Sequence, residues 1–315
     1  MSVIKDISKK LGLSESTVKK IISDPFAFSD KTSREVLEMY NAACKKSSGD
    51  GITVGVIVPK RPIFFWKDVT SGISDAIKAS GRSIRANFFY YSRDLGMTLQ
   101  SRIGECDCYI CYPSDTLEPQ TKEMLKSRPC VLLNEESDDQ SLPFIGPDGY
   151  DEGVKAAGLV KDVTHIAIVK FRGKMTVNKR IEGFTDTVKS RIPNVRITVI
   201  QLNNAQNIAA AMLAKRLAEA GYPDCVYVTT GASHVGGGAI YKLREKTDKR
   251  IVLIGHELAG ADRRYLNDGS MLGCVVQDAY AQGYGSVELV LDLLDGKEAQ
   301  SRYVASKVIT ASGEA

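Results

Sequence analysis

The stretch ITVGVIV at residues 52–58 decides the fold of this chain. It is a nearly continuous apolar run, which is typical of a strand buried on both faces of a parallel sheet. Segments with the helical spacing of apolar residues lie between this run and later ones, as at residues 67–80, 178–191, 206–220 and 280–294. The later runs are SIRANFFYY (83–91), CYICY (108–112), CVLLN (130–134), HIAIV (165–169), VRITVIQL (195–202), CVYVTT (225–230), IVLIG (251–255) and LGCVV (272–276). This alternation predicts an α/β fold with parallel sheets covered by helices, and so many strands favour two lobes over a single sheet.

Residues 1–45, in contrast, have only helical patterns. Ile4, Ile7 and Leu11 recur at spacings of three and four, which places them on one face of a helix. Gly12 follows as a turn, and two further helical patterns come after it. Three short helices with a glycine turn between the first two are typical of a helix-turn-helix.

A polar segment with two glycines separates these helices from the strands. The sequence KKSSGDG ends at residue 51, and its composition is that of a linker. We therefore predict a headpiece at residues 1–45, a short linker at 46–51 and a body at 52–315.

The headpiece holds most of the excess positive charge. Residues 1–46 contain nine basic and six acidic side chains, a net charge of +3 out of +4 for the whole chain. Such a concentration suits neutralisation of DNA phosphates. The alternative is a solvated three-helix cap with ordinary surface lysines, and charge alone leaves both interpretations open.

In a helix-turn-helix, the start of the second helix faces the base edges. Ser14 is placed as the N-cap of that helix. Glu15 and Ser16 follow it, and Lys19 and Lys20 come one turn later. The expected reading surface is therefore the first turn and a half of the second helix.

The headpiece resembles that of the LacI/GalR family of bacterial transcription regulators. The matching segments are Ile4-Lys5-Asp6-Ile7, Gly12-Leu13-Ser14, Thr17-Val18 and Ser29-Asp30-Lys31-Thr32. The body is similar to the periplasmic-binding-protein-like (type I) effector domain of that family. The resemblance implies one lobe at about 52–146 and 278–300, and a second at about 147–277 and 301–315.

The resemblance also assigns roles in DNA binding. It implies that Glu15, Ser16 and Lys20 read bases, whereas Ser14 and Thr17 contact the backbone. The complete predicted DNA-binding set is Ser14, Glu15, Ser16, Thr17, Lys19 and Lys20. The family pattern also includes a hinge helix with an apolar wedge for the minor groove, but residues 45–52 are too few for such a helix and lack the wedge. We therefore expect effector and DNA binding to be coupled without a folded hinge helix.

Ligands of two-lobed parallel-sheet proteins bind at the carboxyl ends of strands, in the crevice between lobes. The resemblance implies that Phe65 and Trp66 stack on the ligand and that Asp115 binds sugar hydroxyls. It further implies ligand contacts from Arg180, Glu257 and Gln277. The aromatic pair could instead plug the core, and Asp115 could instead cap a helix.

Competing chemistry is weakly supported. Cys106, Cys108 and Cys111 do not share one face of a strand and have no histidine nearby, so we expect core thiols rather than a metal site. The glycine run at 236–238 lacks the Lys-Ser/Thr of a phosphate loop. We expect no cofactor, no metal and no enzymatic activity.

Composition and cysteine usage indicate the compartment. Hydrophobic residues make up 43% and charged residues 25% of the chain, as in globular proteins. The first residues do not form a secretory signal, and no uncharged run is apolar enough to span a membrane. Seven cysteines, an odd number, favour reduced thiols in the cytoplasm.

The combined prediction is a cytoplasmic, homodimeric regulator, acting as a repressor. It binds double-stranded operator DNA under control of a small polar effector, a sugar or sugar derivative. The alternative is a small-molecule sensor whose headpiece has lost operator binding. The intact headpiece pattern favours the first, and the short linker favours the second.

Overall fold

The chain forms two compact units, each built from separate segments. The computed structural model describes residues 3–23, 30–47, 51–59, 64–91, 95–113, 117–171, 175–203 and 208–314. Unit 1 comprises Met1–Gly146 and Ala279–Arg302, and unit 2 comprises Pro147–Asp278 and Tyr303–Ala315.

Unit 1 begins with three helices that share a small core. They are α1 (Val3–Leu11), α2 (Glu15–Ser23) and α3 (Asp30–Ser47). Gly12 adopts a φ of +65° between α1 and α2, a conformation that glycine tolerates without strain. The core consists of one apolar stripe from each helix: Ile7, Val18, Ile21, Val36 and Leu37. α3 extends to Ser47, two residues into the segment for which we predicted a linker.

The main sheet of unit 1 is parallel. Its strands are β1 (Ile52–Pro59), β2 (Ile84–Tyr91), β3 (Cys108–Cys111), β4 (Cys130–Leu133) and β5 (Phe144–Gly146), in the order β5-β4-β3-β1-β2. Its helices are α4 (Phe64–Ala79), α5 (Leu95–Arg102), α6 (Pro119–Lys126) and, returning from the far end of the chain, α12 (Ala279–Leu294). β1 is buried along nearly its whole length, because strands pair with both of its edges and helices of unit 1 pack on the sheet.

Unit 2 repeats this arrangement. Its parallel strands are β6 (His165–Lys170), β7 (Arg196–Gln201), β8 (Cys225–Val228), β9 (Val252–His256) and β10 (Met271–Val276), in the order β10-β9-β8-β6-β7. Its helices are α7 (Gly149–Gly158), α8 (Met175–Arg191), α9 (Ala209–Glu219), α10 (Ser233–Leu243) and α11 (Arg263–Asn267). The short strands β12 (Lys307–Thr310) and β13 (Gly313–Glu314) extend this sheet, and β12 pairs antiparallel to β10. The short strand β11 (Arg302–Tyr303) instead lies next to β5, at the edge of the sheet of unit 1. The α/β fold with parallel sheets and two lobes, predicted from the alternation of patterns, is confirmed.

Glycines bring one pair of helices into close contact in each unit. In unit 1, a Cβ at Gly72 would lie 2.2 Å from the Tyr280 carbonyl oxygen, which fixes the α4–α12 contact. In unit 2, a Cβ at Gly153 would lie 2.1 Å from the Arg180 carbonyl oxygen, and one at Gly183 would lie 2.2 Å from that of Tyr150. α7 and α8 therefore cross at backbone contact, which places Arg180 of α8 directly against α7.

In the described part of the chain, no helix combines the length and apolar character that crossing a bilayer requires.

Candidate functional site

Three segments of unit 2 bring polar groups to one edge of its sheet. Thr229, Glu257 and Gln277 each follow the carboxyl end of a strand, namely β8, β9 and β10. These strands are parallel neighbours, so their ends meet at the same edge. Arg180 reaches this edge from α8, since its Nη1 donates a 2.9 Å hydrogen bond to the Thr229 carbonyl oxygen. The structure thus brings together three of the predicted ligand residues, Arg180, Glu257 and Gln277.

Arg180 is held by a buried carboxylate that sequence reasoning missed. Its Nε donates to Oε2 of Glu152 across 2.6 Å, and Oε1 of Glu152 accepts a 2.6 Å hydrogen bond from the Ser306 hydroxyl. Burial alone would lower the pKa of Arg180, but the Glu152 carboxylate raises it above its ordinary value. Arg180 is therefore a fixed cation, and its Nη2 forms no hydrogen bond with any described residue. Glu152 is one of two adjacent acids in α7, and only its tertiary partner distinguishes it from Asp151.

Glu257 has an unusual backbone and an unusual protonation state. Its φ is +55°, and its N–H donates to the Val275 carbonyl oxygen at 2.9 Å, which fixes the residue after β9. Burial and the Glu152 carboxylate raise the pKa of Glu257 to about 8, against the opposing charge of Arg180. At neutral pH the group is therefore mostly a neutral carboxyl that can both donate and accept hydrogen bonds. The backbone N–H of Gln277 donates to Oε1 of Glu257 at 3.4 Å.

A row of packed rings supports these polar groups. Phe184 of α8 stacks on Tyr227 with centroids 4.2 Å apart, and the Tyr227 phenol oxygen lies 2.7 Å from Nε2 of His256. Burial, followed by the charge of Arg180, holds the pKa of His256 well below its usual range, so this imidazole is neutral. Its Nδ1 has no hydrogen-bond partner among the described residues. Phe184 lies one helical turn after Arg180 in α8, and His256 directly precedes Glu257 in sequence.

In unit 1, the predicted aromatic pair lies next to the carboxyl end of β3. Trp66 packs edge-on against Phe65 and Tyr112, with centroids 5.2 Å and 5.1 Å away. Trp66 is only 3% exposed, and its Nε1 has no hydrogen-bond partner among the described residues. The burial of Trp66 agrees with the alternative in which the aromatic pair fills the hydrophobic core. Phe65, in contrast, is partly exposed. The predicted ligand residue Asp115 lies outside the described residues.

Unit 1 also contains a polar pair that was not predicted. Asn134 follows β4 with a φ of +64°, and its amide donates 2.9 Å to the side-chain oxygen of Gln282, which is fully buried in α12. The signal in the sequence is an asparagine directly after a strand pattern, because Asn tolerates a left-handed backbone better than most residues.

The predicted DNA-binding residues lie on the surface of α2. Ser14 Oγ accepts from the Thr17 N–H at 3.0 Å, so Ser14 caps α2 as the sequence pattern indicates. Thr17 is partly buried, and the side chains of Ser14, Glu15, Ser16, Lys19 and Lys20 are exposed. Five of the six predicted side chains are therefore accessible, at the cap and along the first six residues of α2.

The three N-terminal helices also contact the sheet domain of unit 1. Tyr90 of β2 packs against their apolar core. Glu38 of α3 lies 3.9 Å from Arg102 of α5. These contacts restrict how freely the three helices move relative to that sheet.

The cysteines considered as a metal site are core thiols. Cys106, Cys108 and Cys111 are buried and free, and burial raises the pKa of Cys106 to about 11 and that of Cys108 to about 12. Such thiols are poor metal ligands because a ligand must be deprotonated. No group of three or more His, Cys, Asp or Glu side chains suited to a metal occurs among the described residues.

Comparisons with known proteins agree with the observed architecture. Residues 115–298 match the periplasmic binding protein domain. A candidate LacI transcriptional regulator from Bacteroides fragilis has a TM-score of 0.72 at 22% identity, over 84% of this chain and 98% of that one. A carbohydrate transporter solute binding protein from Agrobacterium radiobacter, in complex with D-arabinose, has a TM-score of 0.73 at 22% identity, over 84% of this chain and 96% of that one. GanP, a glucose-galactose binding protein from Geobacillus stearothermophilus, has a TM-score of 0.72 at 19% identity, over 84% of this chain and 99% of that one.

No curated protein matches this sequence. At these identities, the likeness to solved structures is a likeness of fold.

Proposed function

The chain belongs to the periplasmic binding protein domain family, and we propose that it is a transcriptional repressor whose binding to operator DNA is controlled by a small sugar-like effector. The proposal divides the chain into a DNA-binding headpiece at residues 1–45, a linker at 46–51 and an effector-binding body at 52–315. It assigns binding rather than catalysis to the body.

The observation that carries the effector proposal is the polar edge of unit 2. It combines a fixed cation, Arg180, with a mostly neutral carboxyl, Glu257, and the amide of Gln277. Sugar hydroxyls donate and accept hydrogen bonds, and this set offers both capacities. The Arg180 guanidinium is already oriented by Glu152 and Thr229, so binding would order few further groups. The fold neighbour that carries D-arabinose supports a ligand of this class.

Within unit 1, Phe65 is the proposed stacking group, because its ring is partly exposed. The buried Trp66 ring then supports the Phe65 ring through their edge-on contact. Asp115 stays in the proposed ligand set on the strength of the sequence resemblance.

The effector proposal is tested by thermal shift against a library of sugars and polyols. A ligand at one hundred times its dissociation constant should stabilise the folded protein by about 2.7 kcal/mol. Gln277→Ala should lose this stabilisation while keeping the unliganded melting temperature, and Tyr303→Ala, an exposed residue of the same unit, serves as the control. Equal ligand stabilisation in Gln277→Ala would remove this residue from the site.

The DNA-binding proposal rests on the exposed face of α2 and on the charge of the headpiece. Lys19 and Lys20 stand beside the capped start of the helix, where Glu15 and Ser16 would meet base edges. A palindromic operator requires two such heads, so we propose a homodimer. Sedimentation at micromolar concentration, with and without DNA, checks the dimer, and a monomer under both conditions would contradict it.

The second candidate is a sugar sensor whose headpiece does not bind an operator. The contacts of Tyr90 and Arg102 with the three helices favour it, because a head held against the sheet is less free to dock on DNA. A mobility-shift assay with DNA from upstream of the same locus, over a range of salt concentrations, separates the two candidates. Sequence-specific retardation supports the repressor, and only weak, sequence-independent retardation supports the sensor.

A further inference from the structure

A concave feature of unit 2 lies at the edge of its sheet opposite the polar groups. It is a cavity of about 150 Å³ between the end of α10 and the residues that precede β9 and β10. The strands are parallel and β9 has five residues, so the cavity lies roughly 16 Å from the polar edge that carries Glu257. We propose that this cavity binds the phosphate group of a small anion.

The charge of the cavity points to an anion. Its lining includes Arg244, Lys249 and Arg250 but only one acid, Asp268. The surrounding sequence KLREKTDKR at residues 242–250 has five basic and two acidic residues. A concave surface lined mainly by one sign of charge raises the local concentration of ions of the opposite sign.

Neither arginine is closely paired with a carboxylate. Arg250 donates to the neutral Gly269 carbonyl oxygen at 3.4 Å, and no carboxylate of the described residues lies within 4.0 Å of it. Arg244 stacks over the Tyr241 ring at 4.2 Å, and its Nη2 is 3.9 Å from Asp268. Both guanidiniums therefore keep donors and charge for a ligand. Lys249, in contrast, forms a 2.8 Å ion pair with Asp224.

Asp268 holds the cavity wall together. Its carboxylate accepts hydrogen bonds from the Ser270 N–H at 2.9 Å, from the Ser270 hydroxyl and from the Tyr241 phenol. Burial would raise the pKa of Asp268, but the hydrogen bonds from Ser270 and Tyr241 keep it below its ordinary value. Asp268 is therefore an anion at neutral pH and offsets part of the charge of Arg244, which lies 3.9 Å away, whereas no described carboxylate lies within 4.0 Å of Arg250.

Size and geometry select the phosphate group. Pockets that enclose a drug-sized ligand measure about 300–1,000 Å³, so this smaller cavity suits a compact charged group. Planar guanidiniums bind phosphate oxygens in pairs, which lysines do not. Free phosphate and the phosphate of a monoester have the same chemistry here, the monoester leaving its organic part outside the cavity.

The test is a thermal unfolding series on the full chain with inorganic phosphate, with glycerol phosphate as the monoester, and with sodium chloride at equal ionic strength. Both phosphates should raise the unfolding temperature beyond chloride, and titration calorimetry should give a dissociation constant. Arg244→Gln and Arg250→Gln should each weaken binding about tenfold, since a hydrogen bond to a charged group contributes about 1.5 kcal/mol or more. Lys215→Gln is the matched control, because this exposed cation of the same unit pairs only with Glu219 among described residues.

Arg244 is half exposed, so its variant is expected to fold even if Arg250→Gln is destabilised. A response to both phosphates means that the group itself is recognised, whereas a response to inorganic phosphate alone narrows the ligand to the free ion. Phosphate stabilisation no greater than that of chloride, or equal binding by Arg244→Gln and the wild type, would overturn the proposal. Because sugars do not enter this assay, its result is independent of the proposed effector site.

Discussion

The guanidinium of Arg180 and the carboxylate of Glu152 form an ion pair at 2.6 Å, with side chains only 6% and 1% exposed. A pair so deeply buried is weak evidence for stability as such, because both charges lose hydration. Removing one member, however, leaves the other charge uncompensated. The pair therefore couples the orientation of the candidate ligand site to the folding of unit 2.

Arg180→Ala should destabilise the protein by about 3–5 kcal/mol, because it leaves the buried Glu152 carboxylate without its positively charged partner. The double variant Arg180→Met with Glu152→Gln should recover much of this loss. Urea unfolding of the three proteins checks the expectation. A fully stable Arg180→Ala would mean that Glu152 becomes neutral or hydrated without cost.

Glu257 should make stability fall as pH rises from about 4.5 to about 8. In this range the folded protein keeps a proton on Glu257 that the unfolded chain has released, so higher pH favours unfolding. Glu257→Gln lacks this proton equilibrium. Its advantage in unfolding free energy over the wild type should grow through that range and level off above pH 8, on the order of a few kcal/mol. Urea unfolding at several pH values measures it, and a difference independent of pH would refute the raised pKa.

Gly183→Ala should destabilise unit 2 by about 1–3 kcal/mol, because its Cβ would push α8 away from the Tyr150 carbonyl oxygen. Gly158→Ala is the control in the neighbouring helix, since a Cβ there meets nothing within 4 Å. That change should be neutral or stabilising, as alanine favours helix over glycine. Thermal unfolding compares the two, and equal effects would show that α7 and α8 can separate without cost.

Lys20→Ala should weaken binding to the operator and relax base preference at one position. Lys67→Ala, an exposed lysine on α4 of the same unit, should leave both properties unchanged. Mobility shifts at several salt concentrations, with wild-type and point-mutated operators, give affinity and preference together. Unchanged affinity and selectivity in Lys20→Ala would remove α2 from the DNA interface.

Much of the fold was predictable from local patterns. The run at residues 52–58 indicated a strand buried on both faces, and β1 is such a strand because helices pack on its sheet while parallel partners flank its edges. The spacing of Ile4, Ile7 and Leu11 indicated which face of α1 turns inward, and in the structure Ile7 lies in the small N-terminal core while Ile4 and Leu11 pack against it. Alternating β and α patterns gave the parallel sheets, since a right-handed crossover leaves few other arrangements.

The sequence also placed Arg180, Glu257 and Gln277 near a common edge, because each lies at a position where a strand ends or a resembling motif occurs. It could not reveal Glu152, whose importance depends on α7 and α8 meeting at Gly153 and Gly183. The protonation of Glu257 was equally hidden, because a pKa depends on burial and on charges distant in sequence. Periodicity and turn residues act over a few neighbouring residues, so the sequence by itself determined the helices and strands. Desolvation and ion pairing act through space, so only the folded chain decided them.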